Sequence, residues 1–110
     1  MRRGTTPTHH FTLPFSVPDG SVIRIVYAQN EQIIVEKTTE ACTVNDTCIT
    51  VRLTDEETLR FDCSAHYHNG RCEPYPVEIQ IGIKTPLGDK LWSEIITETP
   101  ERCLRKDGVI

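Results

Sequence analysis

Val77-Glu78-Ile79-Gln80-Ile81-Gly82-Ile83-Lys84 decides the fold. Its apolar residues fall on every second position, so in an extended chain Val77, Ile79, Ile81 and Ile83 share one face. Glu78, Gln80, Gly82 and Lys84 share the other. A helix would scatter these groups around its axis, whereas a period of two predicts a strand with one face buried.

The same period recurs on both sides of this run. Upstream, Ser21–Gln29 carries Val22, Ile23, Ile25, Val26 and Tyr27, a β-branched and aromatic density that suits a strand. Asn30 breaks it and Gln32–Lys37 returns, which predicts a hairpin. Ala41–Val44 and Thr47–Leu53 flank Asn45-Asp46 as a second hairpin, with Ile49, Val51 and Leu53 on one face. His10–Phe15 reads as a first strand, confined to an edge or ended by Pro14, which has no N–H for a ladder. Downstream, Pro86-Leu87-Gly88-Asp89 turns the chain and Leu91–Thr99 runs back, closed by Pro100.

The single helical signature is Thr54-Asp55-Glu56-Glu57-Thr58-Leu59. Thr54 and Glu57 have capping-box spacing, and the acidic residues sit at the positive end of the helix dipole. Asp55, Glu56 and Glu57 are consecutive, so their carboxylates point apart and mark a helix start, not an acid–base pair. Ser64–Tyr75 reads as a polar loop turning at Asn69-Gly70. The pattern predicts an all-β, antiparallel, immunoglobulin-like sandwich of about seven strands with one short helical turn near 54–59. Tyr27 and Trp92 are expected in its core.

Length and charge restrict the uses of such a body. A chain of 110 residues is expected to form one domain, 1–110, with a flexible polar arm over 1–8 and a charged tail over 101–110. A formal charge of -4 disfavours nucleic acid, whose binders carry a basic face. Apolar runs are too short to span a bilayer, so no membrane partner is expected. No apolar leader segment follows Met1-Arg2-Arg3, which places the expected site in a reducing cytoplasm. The five cysteines, an odd number, are then expected as thiols.

Cysteine and histidine crowd into Cys63-Ser64-Ala65-His66-Tyr67-His68-Asn69-Gly70-Arg71-Cys72. Cys63, His66, His68 and Cys72 form a candidate zinc set, because a loop turning at Asn69-Gly70 could gather two thiolates and two imidazoles into a tetrahedron. The alternative has Cys63 and Cys72 facing each other across a hairpin, as thiols or a disulfide, with both histidines solvated. A Cys/His nucleophile would further need an oriented base and an oxyanion hole. Cys63 or Cys72 with His66 could supply the thiol and the imidazole. Nothing in the chain marks an oxyanion hole or a rigid nucleophile turn, so no catalytic residue and no cofactor beyond that zinc is expected. Cys42 and Cys48 are expected as diagonal neighbours across the second hairpin, and His9-His10 as half-exposed strand residues.

Several segments have a familiar order and spacing: Met1-Arg2-Arg3-Gly4-Thr5-Thr6-Pro7-Thr8 running into Phe11 and Leu13-Pro14-Phe15, then Tyr27-Ala28-Gln29-Asn30, Glu36-Lys37-Thr38, Leu53–Leu59, Val77–Ile81 and the closing Leu104–Ile110. Together they resemble small prophage proteins of Clostridia-type Gram-positive bacteria. The resemblance implies a non-enzymatic phage structural or assembly protein acting through protein–protein contact. Its partners would be other phage structural proteins or further copies of itself, in the host cytoplasm and then the virion. A phage accessory protein that binds a host protein, or a small zinc-stabilised binding domain, is the alternative.

Overall fold

The computed structural model describes every residue except Cys103, Lys106 and Gly108, so part of the expected 101–110 tail lies outside the described residues. In chain order the strands are β1 (Thr8–Thr12), β2 (Val22–Gln29), β3 (Gln32–Thr38), β4 (Cys42–Asn45), β5 (Cys48–Arg52), β6 (His66–His68), β7 (Arg71–Glu73), β8 (Val77–Lys84), β9 (Lys90–Trp92) and β10 (Ile96–Glu98). Helix α1 (Asp55–Thr58) and a 3-10 turn, Thr39–Ala41, complete the set. The fold is all-β and antiparallel, as the alternation predicts.

Of the three sheets, the narrow layer has the order β1-β5-β4, the wide layer has β10-β8-β2-β3 with β9 also on β8, and β6-β7 form a separate two-stranded pair. Both β9 and β10 lie on the edge of β8 away from β2: β9 pairs with Gly82–Lys84 and β10 with Val77–Ile79. The inner faces meet in a core of Phe11, Ile23, Ile25, Tyr27, Val35, Ile49, Val51, Leu53, Phe61, Val77, Ile79, Ile81 and Ile83. The β8 and β5 residues that alternation placed on one face are all in it.

All the strands expected from the pattern occur, and the departures have local causes. The expected final strand is split, because Ser93 Oγ accepts a hydrogen bond from the Ile81 N–H at 3.0 Å where the ladder would continue. The expected loop over 64–75 contains the hairpin β6–β7, whose Asn69-Gly70 turn has φ of 50° and 73°. Paired positive φ values match the right-handed twist of the flanking strands, and asparagine and glycine tolerate them best. The second hairpin turns at Asp46-Thr47 instead of Asn45-Asp46, since Asp46 takes the left-handed conformation at φ 56°. That one-residue shift changes the cysteines. Cys42 pairs with Val51 and Cys48 with Asn45, so the thiols lie at opposite ends of the hairpin and on opposite faces, not diagonally adjacent.

Capping fixes α1 as expected. Thr54 Oγ1 accepts from the Glu57 N–H at 3.2 Å, and Glu57 Oε1 accepts from the Thr54 N–H at 2.8 Å. Glu57 also pairs with Lys37 Nζ at 2.5 Å, tying the helix to β3. Burial alone would raise the Glu57 pKa, but the hydrogen bonds from Lys37 and Thr54 and the Lys37 charge outweigh it and hold the carboxyl below its usual range.

The 1–8 segment, expected as a flexible arm, is hydrogen-bonded to the body. The Met1 ammonium donates to the Thr99 carbonyl at 2.9 Å, and Arg3 Nη2 to the Leu59 carbonyl at 2.7 Å. The buried Thr58 hydroxyl accepts from the Gly4 N–H at 3.0 Å and donates to the Thr5 carbonyl at 2.8 Å. A hydroxyl can donate and accept at once, so one side chain holds two turns of backbone.

Candidate functional site

Gln29, at the end of β2, anchors the histidine-bearing loop. Its amide accepts from the Asp62 N–H at 2.8 Å and donates to the carbonyls of Asp62 at 2.5 Å and Tyr75 at 3.0 Å. Both ends of the loop therefore hang on one buried side chain. Within it, His66 and His68 share a face of β6 and both stack on Tyr75, with ring centroids 4.8 and 4.6 Å away. Tyr67 and Cys72 pair across the hairpin and occupy its opposite face. The four expected zinc ligands, Cys63, His66, His68 and Cys72, are therefore not brought together. Among the described residues no group of three or more histidine, cysteine, aspartate or glutamate side chains is placed to hold a metal. Cys42, Cys48, Cys63 and Cys72 are free thiols, so Cys63 and Cys72 form no disulfide.

Asp62, Ser64 and His66 do come together. Ser64 donates to Asp62 through both its hydroxyl and its N–H, the latter at 2.8 Å, and Asp62 Oδ2 lies 2.6 Å from His66 Nε2. These bonds, first the Ser64 hydroxyl, then its N–H and then His66, hold the Asp62 carboxyl down at about 2. Ser64 Oγ lies 3.4 Å from that same Nε2. A nucleophile relay needs serine and aspartate on different ring nitrogens. Here both meet one nitrogen and the serine proton is given to the carboxylate, an arrangement that orders a loop.

A second polar cluster lies between the sheets, at a position read from sequence only as half-exposed histidine. His9 Nδ1 bonds to the Tyr27 hydroxyl at 2.7 Å, and His9 Nε2 faces Glu98 Oε2 at 3.7 Å. Tyr27 is fully buried, and Glu98 Oε2 is buried with no hydrogen-bond partner among the described residues. Burial lowers the His9 pKa against the pull of the Glu98 carboxylate, while burial and that carboxylate both push the Tyr27 phenol up. The cluster joins β1, β2 and β10 across the layers.

A concave surface adjoins this cluster. A groove of about 580 Å³ runs between the β1 side of one sheet and the β8–β9–β10 side of the other. Phe11, Leu13 and Phe15 line one wall; Ile83, Leu91 and Ile96 line the other. Its origin is a mismatch in width. The β1-β5-β4 sheet is three strands wide, whereas β9 and β10 add a fourth rank to its partner. Leu91 and Ile96 have inward register opposite Ile83 and Ile79, yet remain 44% and 42% exposed because no strand of the narrow sheet reaches the overhang among the described residues. Full burial of such side chains contributes about 1.5–3 kcal/mol each, so the groove retains an unspent driving force for association. β1 and the β9/β10 rank also present unpaired backbone groups along their outer edges.

Trp92, expected in the core, lies on the opposite, outer face of the wide sheet and is 56% exposed. It pairs with Gly82, whose register faces away from the core, so the same alternation that buries Ile81 and Ile83 turns the indole outward. Glycine within a strand signals a close approach, and that signal in Gly82 marks the place of the indole. The groove had no comparable signal, since it follows from how many strands each sheet recruits. No helix among the described residues is long and apolar enough to cross a membrane. No protein family, no curated protein and no solved structure matches this chain.

Proposed function

We propose that this chain is a non-enzymatic protein–protein interaction module, an immunoglobulin-like sandwich that docks through the open groove between β1 and the β9/β10 rank. A second copy of the chain is its first partner, and the assembly is a structural or assembly element of a phage particle. The single observation that carries the contact reading is the pair Leu91 and Ile96, inward in register and uncovered in space. The phage setting is supported by the order and spacing of the sequence segments that resemble prophage proteins.

Apolar side chains lining a groove between two unpaired edges suit an added strand. Its backbone would complete the ladder and its alternate side chains would fill the groove. Light scattering on a size-exclusion column tests this. The native chain is expected to exceed the mass of one copy, increasingly so with concentration, and the double variant Leu91→Glu, Ile96→Glu to run as one copy with unchanged circular dichroism. A native protein that stays at one copy throughout, or a variant that associates as strongly as the native chain, overturns the reading. If purified phage particles from the source strain lack the chain, the particle assignment fails while the self-contact stands.

A further inference from the structure

We propose a saccharide-binding site on the outer face of the wide sheet, where Trp92 stacks an acidic sugar ring and Lys84 and Lys90 hold its carboxylate. The site opens on the sheet face opposite the groove, which Trp92 also borders, and its ligand chemistry does not depend on the proposed self-contact. Cross-strand register builds it in two rows: Val22, Lys84 and Lys90 side by side, then Arg24, Gly82 and Trp92. Between them lies a hollow of about 270 Å³.

Gly82 makes the platform. A Cβ on this residue would sit 2.5 Å from Trp92 Cζ3 and 2.7 Å from Cη2, so any larger residue would lift the ring. With hydrogen there, the indole lies against the backbone and turns its second face to solvent. That face carries the negative side of the ring quadrupole, which attracts the weakly positive C–H groups along one side of a pyranose.

The lysines supply the second, independent observation. Lys84 and Lys90 are direct cross-strand partners, and like charges placed opposite each other destabilise a sheet. Neither makes an ion pair among the described residues, in a chain whose formal charge is -4. Arg24, by contrast, is held by Glu36 at 3.2 Å and walls the hollow. An anion between the two ammonium groups turns their repulsion into two charge-assisted bonds. A polyanionic nucleic acid fits less well: its binders extend a basic groove with several stacking rings, whereas this face offers one ring on an acidic protein.

Trp92 is the chain's one tryptophan, so its fluorescence reports the site directly. The probes are trigalacturonate and sialyllactose, with neutral maltotriose and oligothymidylate as comparisons. At least one acidic sugar is expected to change Trp92 emission saturably, with affinity falling as salt is added. Lys84→Gln with Lys90→Gln should weaken that binding at least about tenfold, with the emission of the free protein unchanged. Gly82→Ala should shift the free emission itself and weaken binding too. The proposal is overturned if neither acidic sugar gives a saturable change, if maltotriose binds as tightly, if the lysine variant binds unchanged, or if oligothymidylate binds more tightly than both sugars.

Discussion

The two long seams of the sandwich differ in how they are closed. Along one, β3 passes into β4 through the 3-10 turn Thr39–Ala41, so the chain itself covers the gap between sheets. Thr39 Oγ1 accepts from the Ile23 N–H at 2.8 Å, and Cys42 packs against the core with its thiol near the Thr38 carbonyl at 3.3 Å. Burial of that thiol raises its pKa, although Lys37 nearby opposes the shift. Along the other seam the described chain crosses at one end, where Met1 and Arg3 bond to the backbone of Thr99 and Glu101. Beyond that end the wide sheet overhangs β1, and the His9–Tyr27–Glu98 cluster bridges the layers. Similar inward-facing side chains therefore stabilise the monomer at one seam and remain available to a partner at the other.

Truncations should separate the covered core from the open seam most strongly. Ile49→Ala, within the fully covered core, is expected to cost about 2–5 kcal/mol in urea denaturation. Ile96→Ala should cost about 1 kcal/mol or less, because its side chain is already partly in water, and should weaken self-association instead. Equal losses of monomer stability would erase the distinction between the covered core and the open seam.

At the closed seam, Thr39→Ala leaves the Ile23 N–H without its partner and should cost about 1–3 kcal/mol. At the open seam, Tyr27→Phe removes the phenol from His9 and should cost about 1–2 kcal/mol. Both are read from denaturation midpoints, and a Tyr27→Phe protein as stable as the native one would show that the bridge contributes nothing.

The fold was legible where alternation is long and one face is buried. β8, β5 and β2 declare themselves because isoleucine and valine recur at every second position, and Thr54 with Glu57 declares α1. The hairpin β6–β7 escaped because His66, Tyr67, His68 and Cys72 bury too little to leave a pattern. The split in the last strand escaped because a serine side chain, Ser93, substitutes for the ladder. The first strand lies at Thr8–Thr12, two residues ahead of the expected start, since the alternation of Phe11, Leu13 and Phe15 runs on past the last ladder pair of Thr12 with Cys48. The groove was hidden for a different reason: no local pattern states that one sheet will be wider than the other. His9 was likewise read by its neighbour His10, when the contact that defines it comes from residues 18 and 89 positions away, Tyr27 and Glu98.

Acidification offers a smaller contrast between the seams. Burial holds His9 below its ordinary value of 6.5, so the folded protein binds fewer protons than the unfolded chain in that range. Its contribution to stability is complete above pH 6.5 and is lost as pH falls toward the lowered value. His9→Gln should flatten that part of the curve. Glu57, paired with Lys37 on the closed side, has its pKa depressed from 4.5. Its contribution is present above pH 4.5 and is lost only as pH falls through the depressed value, so the open seam should weaken first on acidification. Thermal melts between pH 8 and pH 3 on both variants, His9→Gln and Glu57→Gln, give the order.

Amide hydrogen exchange at low and high protein concentration tests the open groove most directly. Extra protection on concentration is expected along β1 and in Leu91, Trp92 and Ile96–Glu98, with β3 and β4 unchanged. Protection that grows instead at β3 and β4, or at none of these strands, would contradict it.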